Sequence, residues 1–598
     1  MRPRLPAARS TAAAMLSPAA LVLAPLLLLA AALVSGCAPP RGVSTPPAAP
    51  ATSAPSARGV PAPPESPPLD LVLSGGSVID GTGAPSVRAD VGVAGDRIVA
   101  VGDLSRAQAA RRIDVAGLAV APGFIDMLGQ SEFNLLVDNR VESKIRQGIT
   151  TEISGEGISV APMNAQLIAE IQPMLDKFRL KIDWTDLPGY ARRFAQSRSA
   201  LNLGMFAGAA QVRSAVLGLG DAQPTPAQLA EMVAEVERQM DAGALGVSTG
   251  LIYQPGSYAK TPELIALAAA AARKGGIYAT HLRSESAHLL DAIDEALRIG
   301  REAKIAVEIW HFKAAGRRNW PREKDAIARI ERAQAEGVDV AANVYPYVAS
   351  ANGLDANLPD WAHAGGADAM VARIRDPVSR ARLLREVRKD LAKGSGTSGM
   401  LLLSAVDPSL QRYLGRRLDA VAREMGKSPE EALLDLVAAD RGATIVARFG
   451  MSEENVRLAL EKPWVSLCTD YGGQALDGPY GKERAHPRAF GTMPRVLGLY
   501  ARELGLFSVE EAVRKMTSLP ARRVGLLDRG LVRPGMMADL TVFDPTTVRD
   551  TATFEDPGRY PIGIRWVIVN GQVTLDDGAL TPARAGQFVR PHRGPTDR

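Results

Sequence analysis

Four residues able to ligate a metal or move a proton each follow a short apolar run. Glu156 follows 149–154, His281 follows 277–280, His311 follows 305–309 and Asp470 follows 465–468. Runs of that length read as buried strands. In an α/β barrel the C-terminal ends of such strands carry the active site. Two neutral imidazoles and a carboxylate form a donor set that zinc accepts, with one position left for water. A further carboxylate beside them can take a proton from a reacting water and return it to a leaving amine. Glu156, His281 and His311 are therefore the candidate metal ligands, and Asp470 is the candidate acid/base. The plainer readings are a turn carboxylate for Glu156, between Gly155 and Gly157, and a helix N-cap for Asp470.

The chain has six histidines. A lone histidine after a strand is ordinarily a satisfied core residue, but His281 and His311 end successive strands. His288, His363 and His592 read as surface residues. Arg488, within His486-Pro487-Arg488, offers two parallel donors of the kind that hold a carboxylate. Lys313 lies two residues past His311 and shares its side of the strand end. Tyr253 precedes Pro255-Gly256, and Tyr345 and Ser350 bound the segment Tyr-Pro-Tyr-Val-Ala-Ser. Each could orient a carbonyl or carboxylate, but each taken singly reads first as structural.

The elements that must position these residues alternate strand and helix through the middle of the chain, the pattern of a parallel sheet with right-handed crossovers. Thr225-Pro226-Ala227-Gln228 has the form of a capping box opening a helix. Eight such units close into a (β/α)8 barrel, expected over 121–524. The heavily charged stretch 373–393 predicts a helical insertion at about 355–400, over the mouth of the barrel. Strand-like alternation over 69–120 returns over 525–598, with Asn570-Gly571 as a hairpin turn. A small β-sandwich built from both ends of the chain is expected there.

A net charge of +5 over 598 residues, with the basic residues scattered, leaves no nucleic-acid footprint. Residues 1–37 read as a signal segment: Arg2, Arg4 and Arg9, then an apolar stretch, then Leu33-Val34-Ser35-Gly36-Cys37. That ending resembles a bacterial lipoprotein signal, which implies lipidation at Cys37 and, with Ala38 following, an outer-membrane protein facing the periplasm. An ordinary secretory signal or an uncleaved anchor is the alternative. Residues 38–68, rich in Pro, Ala and Ser, read as a tether. Cys468 is the only other cysteine; it reads as a core residue, so no disulfide is expected within the chain.

Residues 121–126, 250–256, 280–285, 345–350 and 486–498, with Ala552-Thr553-Phe554 and Ala583-Arg584-Ala585-Gly586, resemble the N-acyl-D-amino-acid deacylases (D-aminoacylases) of the amidohydrolase superfamily. The resemblance implies a TIM barrel with a small β-sandwich. It also implies zinc-dependent hydrolysis of the amide bond of N-acyl-D-amino acids or short D-residue peptides. In that setting His281 and His311 bind the metal, Asp470 is the acid/base, and Arg488 grips the substrate carboxylate. Lys313, Tyr253, Tyr345 and Ser350 fall near substrate-contact positions. Two departures stand out. The family's His-X-His is replaced by Leu128 and Gln130, and its bridging cysteine aligns with Glu156. One zinc rather than two is therefore expected. Alternatives are a related amidohydrolase acting on cyclic amides or dipeptides, and a non-catalytic lipoprotein that binds cell-wall fragments.

Overall fold

The computed structural model describes residues 68–392, 396–481 and 483–593. Cys37, the signal segment and the tether up to residue 67 lie outside the described residues. Among the described residues no helix is long and apolar enough to cross a membrane.

Eight parallel strands form the centre: β1 (Phe124–Asp126), β2 (Ile149–Ser154), β3 (Asn202–Met205, resumed at Ala207–Gly208), β4 (Gly246–Gly250), β5 (Ile277–His281), β6 (Val307–Ile309), β7 (Val340–Val344) and β8 (Val465–Leu467). Each pairs in parallel with the next. The ring closes where Met127 N donates to Leu467 O (3.2 Å) and Asp470 N to Leu128 O (2.8 Å). Ile125, Ile153, Phe206, Ala279, Trp310 and Cys468, drawn from around the ring, belong to one buried cluster. They fill the barrel interior, and Phe206 and Trp310 meet edge to face at 5.5 Å. Burying each large side chain of this kind contributes about 1.5–3 kcal/mol.

The outer helices form for local reasons. Helix Pro226–Asp241 opens on a true capping box: Gln228 N donates to Thr225 Oγ1 and Thr225 N to Gln228 Oε1. It buries Met232, Val236 and Met240 at helical spacing. Helix Leu289–Ala303 buries Leu289, Ile293, Ala296 and Gly300 on one stripe, so its charges face outward.

Both ends of the described chain build a second, nine-stranded sheet. Leu69–Val78 pairs in parallel with Ala109–Asp114 through its first half and with Ala119–Pro122 through its second, and its antiparallel pairing with Val87–Ala94 carries a bulge between Leu73 and Gly76. Ala119–Pro122 pairs antiparallel with Leu540–Phe543, which joins the C-terminal strands to the N-terminal ones. Asn570 and Gly571 both take positive φ between Ile564–Val569 and Gln572–Asp576, the geometry of the predicted hairpin. Leu71, Val93, Ile98, Val120, Leu540 and Trp566 form this domain's own core.

The insertion differs from expectation in extent and kind. It runs from Ser350 to Arg448 and contains a three-stranded antiparallel sheet, in the order Ser350–Gly353, Ile445–Arg448, Met400–Ser404, beside the helices. Met400 and Leu402 pack into one buried cluster, Leu401 and Leu403 into another. A strand covered on both faces reads as a continuous apolar run, which periodicity cannot separate from a buried helix.

Candidate metal centre and active site

Glu156, His281 and His311 converge on one point, each offering a ligand atom, with those atoms all within 4.8 Å of one another. Glu156 Oε1 lies 2.7 Å from His281 Nδ1 and 3.0 Å from His311 Nε2. The local sequence explains the placement of Glu156. It stands between Gly155 and Gly157, both at positive φ, and a Cβ on Gly157 would lie 2.4 Å from the backbone nitrogen of Gly250. Only glycine lets the β2 loop approach β4 so closely. Burial by itself would raise the Glu156 carboxyl, but hydrogen bonds and charge from His281 and His311 outweigh it and hold it well below the usual range. His281 Nε2 is buried and has no hydrogen-bond partner among the described residues. His281 Nδ1 and His311 Nε2, both turned to the Glu156 carboxylate, make with it a set of imidazole nitrogens and a carboxylate oxygen that fits a zinc ion.

Gln130 fills the position where the resemblance predicts a histidine. Its amide nitrogen donates to Glu156 Oε2 (2.6 Å) and to Asp470 Oδ1 (3.0 Å). Gln130, His311 and Asp470 all carry positive φ (54°, 37° and 49°). Such conformations cost about 1–3 kcal/mol each and persist where the surroundings over-determine them. Here His311 N donates to Asn343 Oδ1 and Asp470 N to Leu128 O.

Asp470 and Arg488 form a buried pair, with Arg488 Nη1 2.7 Å from Asp470 Oδ2. That contact lacks the alignment of a hydrogen bond. Arg488 Nε and Nη1 are buried without a hydrogen-bond partner among the described residues. The guanidinium stacks over Tyr345 at 4.5 Å, while the Tyr345 hydroxyl points to Met451 Sδ at 3.7 Å. Tyr345 therefore supports Arg488 with its ring. His486 sets the backbone of the same segment. Its Nδ1 accepts from Arg488 N (3.0 Å) and its Nε2 lies 2.9 Å from Ala349 O. Burial, with Arg488 adding to it, pushes His486 well below its ordinary value, so it is neutral and Nε2 is the donor. Burial also raises the Asp470 carboxyl, against the downward pull of Arg488 and His311.

Glu285 is a site residue that sequence reasoning missed. It lies four positions past His281, and its Oε1 stands 3.0 Å from His311 Nδ1 and accepts from Lys313 Nζ. Burial would raise it, but Lys313, His281 and His311 together hold it well below the ordinary carboxylate range. Lys313 Nζ also lies 3.0 Å from His311 Nδ1. The lysine is thus engaged with Glu285 and His311. The Tyr253 ring packs edge-on against His281 at 5.0 Å. Ser350 opens the insertion strand Ser350–Gly353, opposite Arg448, and is not on a barrel strand. His363, read from sequence as exposed, is buried in the insertion, with Nδ1 3.7 Å from Asp355. His288 is exposed as expected.

Beneath the site, the fully buried Lys144 ammonium ties three strand ends together. It meets Asp126 Oδ2 (2.7 Å), Glu152 Oε2 (3.1 Å) and Thr469 Oγ1 (2.6 Å). Thr469 precedes Asp470, and Asp126 leads into Gln130. Gly129 is required here, since a Cβ would fall 2.0 Å from Glu152 Cδ.

With this geometry in place, the likeness to known proteins is informative. The amidohydrolase family profile matches residues 111–575. The chain is 38% identical to a D-aminoacylase of Alcaligenes xylosoxydans xylosoxydans, over 88% of this chain and 98% of that one. A D-aminoacylase structure, from work on one-metal activation and second-metal attenuation of its binuclear centre, superposes with a TM-score of 0.73 at 37% identity, covering 88% of this chain and all of that one. The N-acyl-D-glutamate deacylase of Bordetella bronchiseptica, solved with zinc and a phosphonate mimic of the tetrahedral intermediate, gives 0.73 at 32% identity with the same coverage. The profile spans most of the chain and the barrel superposes on those of these relatives, and the chain belongs to the amidohydrolase family.

Proposed function

We propose that this protein hydrolyses the amide bond of N-acylated D-amino acids, or of short peptides of D-residues, to a carboxylate and a free amine, using one zinc held by Glu156, His281 and His311. The observation that carries the reading is the place of Asp470. The Gln130 amide links it to the metal-type ligand Glu156, and its other oxygen faces the unsatisfied guanidinium of Arg488. One carboxylate thus stands between a three-donor ring and an anion-seeking arginine.

Zinc in that ring supplies a Lewis acid that activates water and polarises the acyl carbonyl. The protein's side chains do the rest. Arg488 receives the substrate α-carboxylate on its guanidinium, whose Nε has no hydrogen-bond partner among the described residues and whose Nη1 is beside Asp470, which places the scissile nitrogen on the Asp470 side. Asp470, with its carboxyl raised by burial, accepts a proton from the attacking water and returns it to the leaving nitrogen. Gln130 fixes the angle of Asp470, and Glu285 with Lys313 fixes the His311 ring. D-configuration is supported by the likeness to D-aminoacylase and N-acyl-D-glutamate deacylase. The single-metal reading is supported by Leu128 and Gln130, neither of which replaces an imidazole as a ligand to a second ion. The lipoprotein-like signal ending at Cys37 supports anchoring to the outer membrane on its periplasmic side.

Hydrolysis of N-acetyl-D- and N-acetyl-L-amino acids by the zinc-loaded protein tests the reading. Turnover of the D-series, lost in Asp470→Asn with zinc content unchanged, is expected. Equal rates on both series, or full activity in Asp470→Asn, would refute it.

A further inference from the structure

A cavity of about 260 Å³ lies beside the metal centre, between the loops after β2 to β4 and the insertion. Its walls are mostly apolar, with Ile158, Met163, Leu167, Ile171, Leu219 and Met370 among them. Two of its lining residues touch the site. Tyr253 packs against His281, and Ile158 lies two residues past Glu156, whose carbonyl accepts from Ile158 N at 2.7 Å. Ile158 is 48% exposed, an unusual state for an isoleucine next to a buried charged cluster. Asp355, His363 and Arg441 line the insertion side.

The direction of the substrate follows from the barrel. Asp470 and Arg488 follow β8, while Tyr253 follows β4, half-way round a closed ring of eight. The nitrogen and α-carboxylate of a bound N-acyl amino acid lie on the β8 side. The acyl chain, on the other side of the scissile bond, leaves toward β4, where the cavity begins.

We infer that this cavity is an acyl subsite and that the substrates are amino acids carrying a medium-length apolar acyl chain, each methylene of which gains about 0.8 kcal/mol when buried there. The inference rests on the deacylase reading above. A chain entering past Tyr253 would be walled by Ile158, Leu167 and Leu219. An acetyl group would leave those walls uncovered.

The test uses the full zinc-loaded chain with D-leucine carrying N-acetyl, N-butanoyl, N-hexanoyl and N-octanoyl groups, together with calorimetric titration of acetate and octanoate. kcat/KM is expected to rise up to roughly four-fold per added methylene, mainly through KM. Octanoate is expected to bind more tightly than acetate. Leu219→Trp, which fills the cavity, should abolish both trends while leaving N-acetyl turnover unchanged, and Leu219→Ala should move the optimum to longer chains. Turnover that is flat or falling with chain length, with acetate and octanoate binding alike, would overturn the subsite and leave the deacylase reading standing. Preference for N-glycyl over N-butanoyl substrate would also overturn it, assigning the cavity to an ammonium near Asp355. Absence of turnover on every substrate, with octanoate still bound and released by Leu219→Trp, would refute the deacylase reading and keep the apolar subsite.

Discussion

The amide nitrogen of Gln130 stands 2.6 Å from Glu156 Oε2 and donates to it, and at 3.0 Å the same nitrogen reaches Asp470. A neutral donor thus bridges a metal-type ligand and the candidate acid/base. Two buried carboxylates this close repel, and a shared donor or cation must relieve them.

This arrangement leaves no imidazole for a second ion near Leu128 and Gln130. The variant carrying both Leu128→His and Gln130→His is expected to take up a second zinc, counted by elemental analysis against protein concentration. Gln130→Leu, by contrast, is expected to keep one zinc and lose about ten- to a hundred-fold in kcat, because Asp470 loses a hydrogen bond to a charged group worth about 1.5–3 kcal/mol. An unchanged kcat in Gln130→Leu would remove Gln130 from the account.

Asp470→Asn removes the proton carrier but keeps the shape. A loss of about a hundred- to ten-thousand-fold in kcat is expected, with zinc content and KM little changed. A variant that instead lost its zinc would make Asp470 a ligand.

Arg488→Lys keeps the positive charge beside Asp470 and removes the planar pair of donors. A fall in kcat/KM of roughly ten- to a hundred-fold is expected, carried by KM. An N-acyl amine lacking the carboxylate should show no difference between the two proteins.

Lys144 is buried with Asp126 and Glu152 on either side. Burial lowers the lysine's affinity for its proton, and the two carboxylates more than restore it. Lys144→Met would leave two buried carboxylates without a cation. A loss of about 3–5 kcal/mol in unfolding free energy is expected, read from denaturant titration. Lys144→Arg should recover only part of it, since the cavity is closed on every side.

Much of this was legible in the sequence, because barrel chemistry sits at the ends of apolar runs. Glu156, His281, His311 and Asp470 each end such a run, and the fold brings all four to one end of the ring. Arg488 was legible through its motif. Glu285 was not, since an acidic residue four positions past His281 looks like an ordinary loop carboxylate until Lys313 and His311 close on it. Gln130 was visible only as a missing histidine. That its amide bridges Glu156 and Asp470 depends on a positive φ that glutamine rarely adopts. The stacking of the Tyr345 ring on the Arg488 guanidinium was not legible either, since it joins residues 143 positions apart. The antiparallel sheet of the insertion was hidden because Met400–Ser404 is buried on both faces.

The most direct test of the account is the zinc content per chain and the rate of N-acetyl-D-amino-acid hydrolysis, measured on the same sample of the protein and of Glu156→Ala. About one zinc per chain with turnover, and the loss of both in Glu156→Ala, is the predicted result. Two zinc ions per chain, or zinc-loaded protein that turns over no N-acyl-D-amino acid, would contradict it.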